Sequence, residues 1–137
     1  VTIYNNTNKS HTYPYEDKSG SSIGWKQSGD EVPTTGGMLA NGTISLAHEL
    51  VHSYDHKHDG DMDKSQENAS RYEGLARCEW VAVFYENVIR QELYGDNASL
   101  RNHYSKNNDT FTAEGTGPKL LGTDNKPRLA KGISPLF

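Results

Sequence analysis

The stretch that most restricts how this chain can fold is Leu46-Ala47-His48-Glu49-Leu50-Val51-His52-Ser53-Tyr54-Asp55. Ile44, Ala47, Leu50, Val51 and Tyr54 follow the 3.6-residue period, which predicts a helix over about 44–56, with Asn41-Gly42-Thr43 as the turn and N-cap before it. Two histidines at i and i+4 of a helix lie one above the other on one face. His48 and His52 can therefore hold one metal ion with two imidazoles, the pattern of a zinc (Zn2+) site. Glu49 then stands beside the open coordination position, where it can take a proton from water, as metal-assisted peptide hydrolysis requires. A five-residue pattern also arises by chance in a chain with six His, so its surroundings have to carry the reading.

Those surroundings are polar. With 137 residues the chain suits one domain, 1–137, and 33% hydrophobic residues with 13 Gly predict long exposed segments around a small core. A net charge of -4 gives no electrostatic footprint for nucleic acid or an anionic membrane surface. No apolar run approaches a membrane span, and no signal peptide opens the chain. The single cysteine, Cys78, excludes an internal disulfide framework, which leaves metal and packing to staple the fold. Val1 opens directly into a strand-like pattern, so the expectation is a chain that starts inside a longer product or after a cleavage point. Five Asn-x-Ser/Thr sequons, at Asn5, Asn41, Asn68, Asn97 and Asn108, follow from an Asn-rich composition.

Residues 1–4 and 11–15 are β-prone and separated by a polar turn run, which reads as a hairpin or two neighbouring strands. Residues 17–42 read as a loop with a short strand near Trp25, the region left to supply an edge for a substrate backbone. After the motif helix comes a His/Asp/Gly-rich loop at 57–63, then a long helix over about 66–93 ended by Gly95-Asp96-Asn97, and one or two helical turns over 98–104. From Ser105 onward the composition reads as a mostly irregular tail, which puts the core at about 1–104.

A protease zinc site needs three protein ligands and a water. On a wheel for the long helix with Glu73 at zero, Trp80 and Phe84 fall within about 20° of it, while Glu79 and Glu86 fall at about 240° and 220°. Glu73 thus lies in the centre of the apolar face, where a carboxylate needs a strong partner, and it is the expected third ligand. The competing arrangements are a Glu73–Arg77 ion pair, or a helix broken at Gly74. Asp55 and His56, one turn beyond His52, read as supporting or solvated residues rather than ligands. On the same wheel Asn87 points inward, as a residue that fixes a loop or orients a ligand.

The motif helix, Glu73, and Glu86-Asn87-Val88-Ile89-Arg90-Gln91-Glu92-Leu93 leading into Leu100-Arg101-Asn102-His103-Tyr104 together resemble the short NleD-type zinc metalloprotease effectors of bacteria. Over residues 44–104 the order His-Glu-Leu-x-His, Glu-Asn-x-x-Arg-x-Glu-Leu and Arg-x-x-Tyr is shared. It also looks like a much reduced clostridial neurotoxin light chain. The resemblance implies that His48 and His52 bind zinc, that Glu49 is the general base, and that Tyr104 with Arg101 stabilises the developing oxyanion. The third-ligand stretch matches the family least well, and the segment before the motif helix has no counterpart in it.

The expectation is therefore an α+β fold, a zincin-like metalloprotease core with a small N-terminal β-sheet, the motif helix and a long following helix. Its function would be endoproteolysis of a protein substrate in a target cell by a monomeric, translocated bacterial effector or toxin. The runner-up is the toxin domain of a larger secreted protein, aimed at rival bacteria and restrained by an immunity protein. A zinc-binding interaction module without catalysis is the reading from another class.

Overall fold

Residues 1–17, 19–58, 71–106 and 115–137 are described by the computed structural model. The expected loop beyond residue 58, the early turns of the long helix, and the carboxylates Asp59, Asp61, Asp63 and Glu67 lie outside the described residues.

Three strands open the chain: β1 (Thr2–Asn5), β2 (His11–Pro14) and β3 (Ser21–Trp25). β3 is central, parallel to β1 and antiparallel to β2, so the first two strands neither pair nor form a hairpin. The reason lies in burial. β3 carries fully buried Ile23, whereas β1 is exposed along its whole length and suits an edge. A second, antiparallel hairpin follows, β4 (Val32–Thr34) and β5 (Gly37–Leu39).

The motif helix α1 spans Gly42–His58. Asn41 caps it, its Oδ1 accepting from the Ile44 N–H at 3.2 Å and its carbonyl from the Ser45 N–H at 2.9 Å. Gly42 is required by close approach, since a Cβ there would sit 1.9 Å from the Gln27 carbonyl oxygen. The Trp25 indole N–H donates to the Gly42 carbonyl at 2.8 Å and so fixes the helix start against β3. Which face is buried differs from the periodicity. Ile44, His48, Glu49, His52, Asp55 and His56 point inward, while Leu50 and Tyr54 are exposed. Past Ile44 the inner face packs against polar partners, while Leu50 and Tyr54 lie outside, Tyr54 against the rings of His58 and Phe137.

The second helix starts later than its sequence pattern predicts. Residues 71–76 form a hairpin, β6 (Arg71–Tyr72) and β7 (Leu75–Ala76), with Glu73 and Gly74 as its two-residue loop at φ 51° and 84°. Two consecutive positive φ values are what a tight, right-twisted hairpin turn demands. Helix α2 then runs Arg77–Tyr94 and stops at Gly95, whose N–H bonds back to the Gln91 carbonyl. It lies antiparallel to α1, with Asn41 Nδ2 donating to the Tyr94 hydroxyl at one end and Arg77 pairing with Asp55 at the other.

Residues 98–104, expected as helical turns, instead run extended beside β4. Thr34 and Arg101 form a bridge, and the Thr35 N–H donates to the Leu100 carbonyl. Beyond them, β8 (Ser105–Lys106) pairs with β9 (Gly115–Thr116). The described part of the C-terminal segment is otherwise irregular, yet Leu120 and Ala130 complete a core with Leu75, Trp80 and Val83. Among the described residues no helix is long and apolar enough to cross a membrane. A small N-terminal sheet, the motif helix and a long following helix make a zincin-like α+β core.

Candidate metal centre and catalytic cleft

Successive residues of α2 at 79, 83, 86 and 90 fall within about 40° of Glu79 on a helix wheel, a single stripe. Glu79, Glu86 and Arg90 from that stripe line the same cleft, of about 580 Å³, as His48, Glu49 and His52 of α1. The antiparallel pairing of the two helices sets Glu79 opposite both histidines. His48 Nε2 and His52 Nε2 are 3.1 Å apart, and the Glu79 oxygens lie 3.2 Å from the first and 3.0 Å from the second. His48, His52 and Glu79 are the group of His, Cys, Asp and Glu side chains among the described residues whose donor atoms converge as metal ligands do.

This corrects the expected third ligand. Glu73 is a turn residue, half exposed, with both carboxylate oxygens 3.1 Å from the Arg128 guanidinium, which holds its pKa below the usual carboxylate value. The wheel that centred Glu73 on an apolar face assumed helix through 66–76, and Gly74 breaks that register, as the alternative of a helix broken there allowed. Trp80 and Phe84 keep their angles to Glu79, but α2 has a second inward face, and Glu79, Glu86 and Arg90 turn it toward the cleft.

Does this cluster fit zinc? Ligand atoms around a tetrahedral ion with about 2 Å bonds stand roughly 3.3 Å from each other, close to the spacings found here. The chemistry of the donors agrees. Glu86, an acceptor when ionised, lies 3.0 Å from His48 Nδ1, so that nitrogen carries the proton and Nε2 presents a lone pair toward Glu79. Glu79 Oε2 is correspondingly buried without a hydrogen-bond partner. Lone pairs and a carboxylate converging in a buried site require a cation. Without a metal, a second proton on His48 would supply positive charge there. Burial opposes it, but the Glu79 and Glu86 carboxylates prevail and push the His48 pKa up to about 10. A divalent ion would take that place, with His48, His52 and Glu79 as ligands.

Behind the ligands, Glu86 is a hub. Its Oε1 also accepts from Arg101 Nη1 at 2.8 Å, and its Oε2 from Arg90 Nε and Nη2 at 3.4 Å each. Burial would raise its pKa, yet Arg101, His48 and Arg90 bring it down to about 2. Asn87, fully buried, grips the Arg101 backbone in both directions, donating to its carbonyl at 2.9 Å and accepting from its N–H at 2.7 Å. It therefore fixes the loop, as the inward position on the wheel suggested. Arg101 spends Nε on the His103 carbonyl and Nη2 on the Tyr104 carbonyl, and stacks 4.7 Å from the Tyr104 ring centre. Tyr104 lines the cleft. Burial, then the charge of Glu79 and a hydrogen bond with it, raise its phenol well above the ordinary value against the opposing charge of Arg101, so it remains a donor at neutral pH.

No family model, curated protein or solved structure matches the chain. What the site is rests on its own residues: His48-Glu49-x-x-His52 with Glu79 is a compact ligand cluster typical of a zinc metalloprotease active site.

The sequence-predicted residues His48, His52, Glu49, Arg101 and Tyr104 meet at this cleft, and Glu73 does not. Reasoning from sequence missed Glu79, although its stripe with Glu86 and Arg90 follows from their spacing wherever the helix starts. Asp55, read as a supporting or solvated residue, is buried and paired, but its partner Arg77 was not foreseen, nor was Thr12 of β2, which donates to Glu49. Two strands reach the cleft, β2 through His11 and β4 through Val32, the latter within the 17–42 stretch expected to supply an edge.

Proposed function

We propose that this protein is a zinc-dependent endopeptidase of the NleD type, delivered into a target cell where it cuts a protein substrate. The observation that carries the proteolytic part is Glu49, whose carboxylate lines the cleft next to the His48–His52–Glu79 cluster. A purely structural zinc site gains nothing from a carboxylate beside an open coordination position. The NleD part is supported by the order of Glu86, Asn87, Arg90, Arg101 and Tyr104 after the motif helix.

Zinc, which His48, His52 and Glu79 would hold, would supply Lewis acidity toward a carbonyl and a water. In the proposed reaction Glu49 takes a proton from the attacking water as the C–O bond forms, and returns it to the amide nitrogen as the C–N bond breaks. Tyr104 donates its phenolic proton in a hydrogen bond to the carbonyl oxygen as charge builds there. Arg101, with three of its five N–H groups committed to Glu86, His103 and Tyr104, acts by holding Tyr104 in place.

Terminal-labelling proteomics in host-cell and bacterial lysates tests this reading. New protein termini that appear with the wild-type protein and not with Glu49→Ala are expected in the host lysate. Termini in the bacterial lysate alone would favour the toxin aimed at rival bacteria, and none in either would leave a zinc-binding interaction module.

A further inference from the structure

Thr12 lies in the middle of β2, completely buried, while its strand neighbours His11 and Tyr13 are partly exposed or exposed. Its hydroxyl oxygen sits 2.6 Å from Glu49 Oε2 and 3.0 Å from the main-chain carbonyl oxygen of the same residue. The first distance falls in the range of a hydrogen bond to an ionised oxygen. A hydroxyl has one proton and two lone pairs, so it cannot donate fully to both acceptors at once. The backbone register Thr12↔Ile23 pins it to the central strand.

We infer that Thr12 is a positioning residue that keeps Glu49 hydrogen-bonded in both of the protonation states through which it passes during turnover. The inference rests on the proteolytic reading above. While Glu49 is a carboxylate, Thr12 donates to Oε2 and fixes the plane of the group. Among the described residues Oε1 accepts no hydrogen bond, which leaves it to meet the water. Once Glu49 carries the water's proton, the carboxylic acid donates to Thr12 Oγ1, and the Thr12 proton turns to the Glu49 carbonyl 3.0 Å away. When Glu49 releases its proton to the leaving nitrogen, the hydroxyl turns back. Thr12 gains and loses no proton over the cycle. A rigid sheet thereby keeps the base from rotating away between its two tasks, the sort of support that precise placement of a catalytic group needs.

The test compares Thr12→Val, which keeps the shape and loses the hydroxyl, with Thr12→Ser, which keeps the hydroxyl. Turnover is read with fluorescein-labelled casein and with any substrate found by terminal labelling. Thr12→Val is expected to retain one zinc per chain and an unchanged KM, and to lose about 10- to 100-fold in kcat, while Thr12→Ser stays within about threefold of wild type. Thr12→Ala takes the place of Thr12→Val if the latter does not fold, as read by its urea midpoint. Equal kcat for wild type and Thr12→Val, or a loss that Thr12→Ser shares, overturns the inference while leaving the proteolytic reading intact. A wild-type protein that cleaves neither casein nor any lysate protein removes both together.

Discussion

Arg77 Nη1 donates to both carboxylate oxygens of Asp55, at 3.1 and 2.9 Å, with Asp55 almost completely buried. The pair joins the motif helix, one turn past His52, to the first residue of the helix that carries Glu79 two positions on. It sets the distance between the two histidine ligands and the carboxylate. Losing charge-assisted hydrogen bonds to a buried carboxylate costs about 1.5–3 kcal/mol. Asp55→Ala should therefore lower the urea midpoint of the metal-free protein and weaken zinc binding in a chelator competition titration. Unchanged zinc affinity in a folded Asp55→Ala protein would disconnect this clamp from the site.

Glu86 gives the protein an acid limit. Its folded pKa of about 2 lies below the ordinary value of 4.5, so its contribution is complete above the unfolded value and is lost as pH falls through about 4.5 toward 2. The span corresponds to a stabilisation on the order of 3 kcal/mol. Urea midpoints of the chelated protein between pH 6 and 2.5 should fall steeply over that window. Glu86→Gln should begin lower and fall less.

Tyr104 and Arg101 separate by their kinetics. Tyr104→Phe removes one donor and little packing, and should reduce kcat by about 10²–10³ with zinc content and KM retained. Arg101→Lys loses the fork that spans Glu86 and the Tyr104 carbonyl, so stability should fall along with activity. Steady-state kinetics paired with thermal unfolding distinguishes the two outcomes.

Glu73 occupies a turn position that favours glycine or asparagine. Its pair with Arg128 is half exposed and contributes little. Glu73→Asn should leave stability within about 1 kcal/mol of wild type, because relief of the positive φ offsets the lost pair. Full zinc content should be retained, as measured by metal analysis.

Much of the site was legible in the chain because it depends on local spacing. His48, Glu49 and His52 need only one helical turn, and the Asn41 cap and the Gly95 stop are local too. The exposed apolar residues of α1 misled the reading of its faces, because the buried face is held by polar pairs that no hydrophobic period records. Glu79 was obscured by Glu73. Extending the helix back through Gly74 set Glu73 in line with Trp80 and Phe84 and so made it look buried, while the apolar face of α2 drew attention from its second buried face, the polar one that carries Glu86 and Arg90. The sheet order was hidden for another reason. Pairing β1 with β3 across β2's sequence is a long-range choice, and so is bringing Thr12 to Glu49, thirty-seven residues away. The same holds for Leu120 and Ala130, whose place in the core nothing in their polar neighbourhood announces.

The central claim is that His48, His52 and Glu79 hold the metal. Zinc per chain, measured on purified wild-type, Glu79→Gln and Glu73→Gln proteins after dialysis against a weak chelator, tests it most directly. One zinc is expected in wild type and in Glu73→Gln, with a large loss in Glu79→Gln. Full zinc in Glu79→Gln together with its loss from Glu73→Gln would contradict the account.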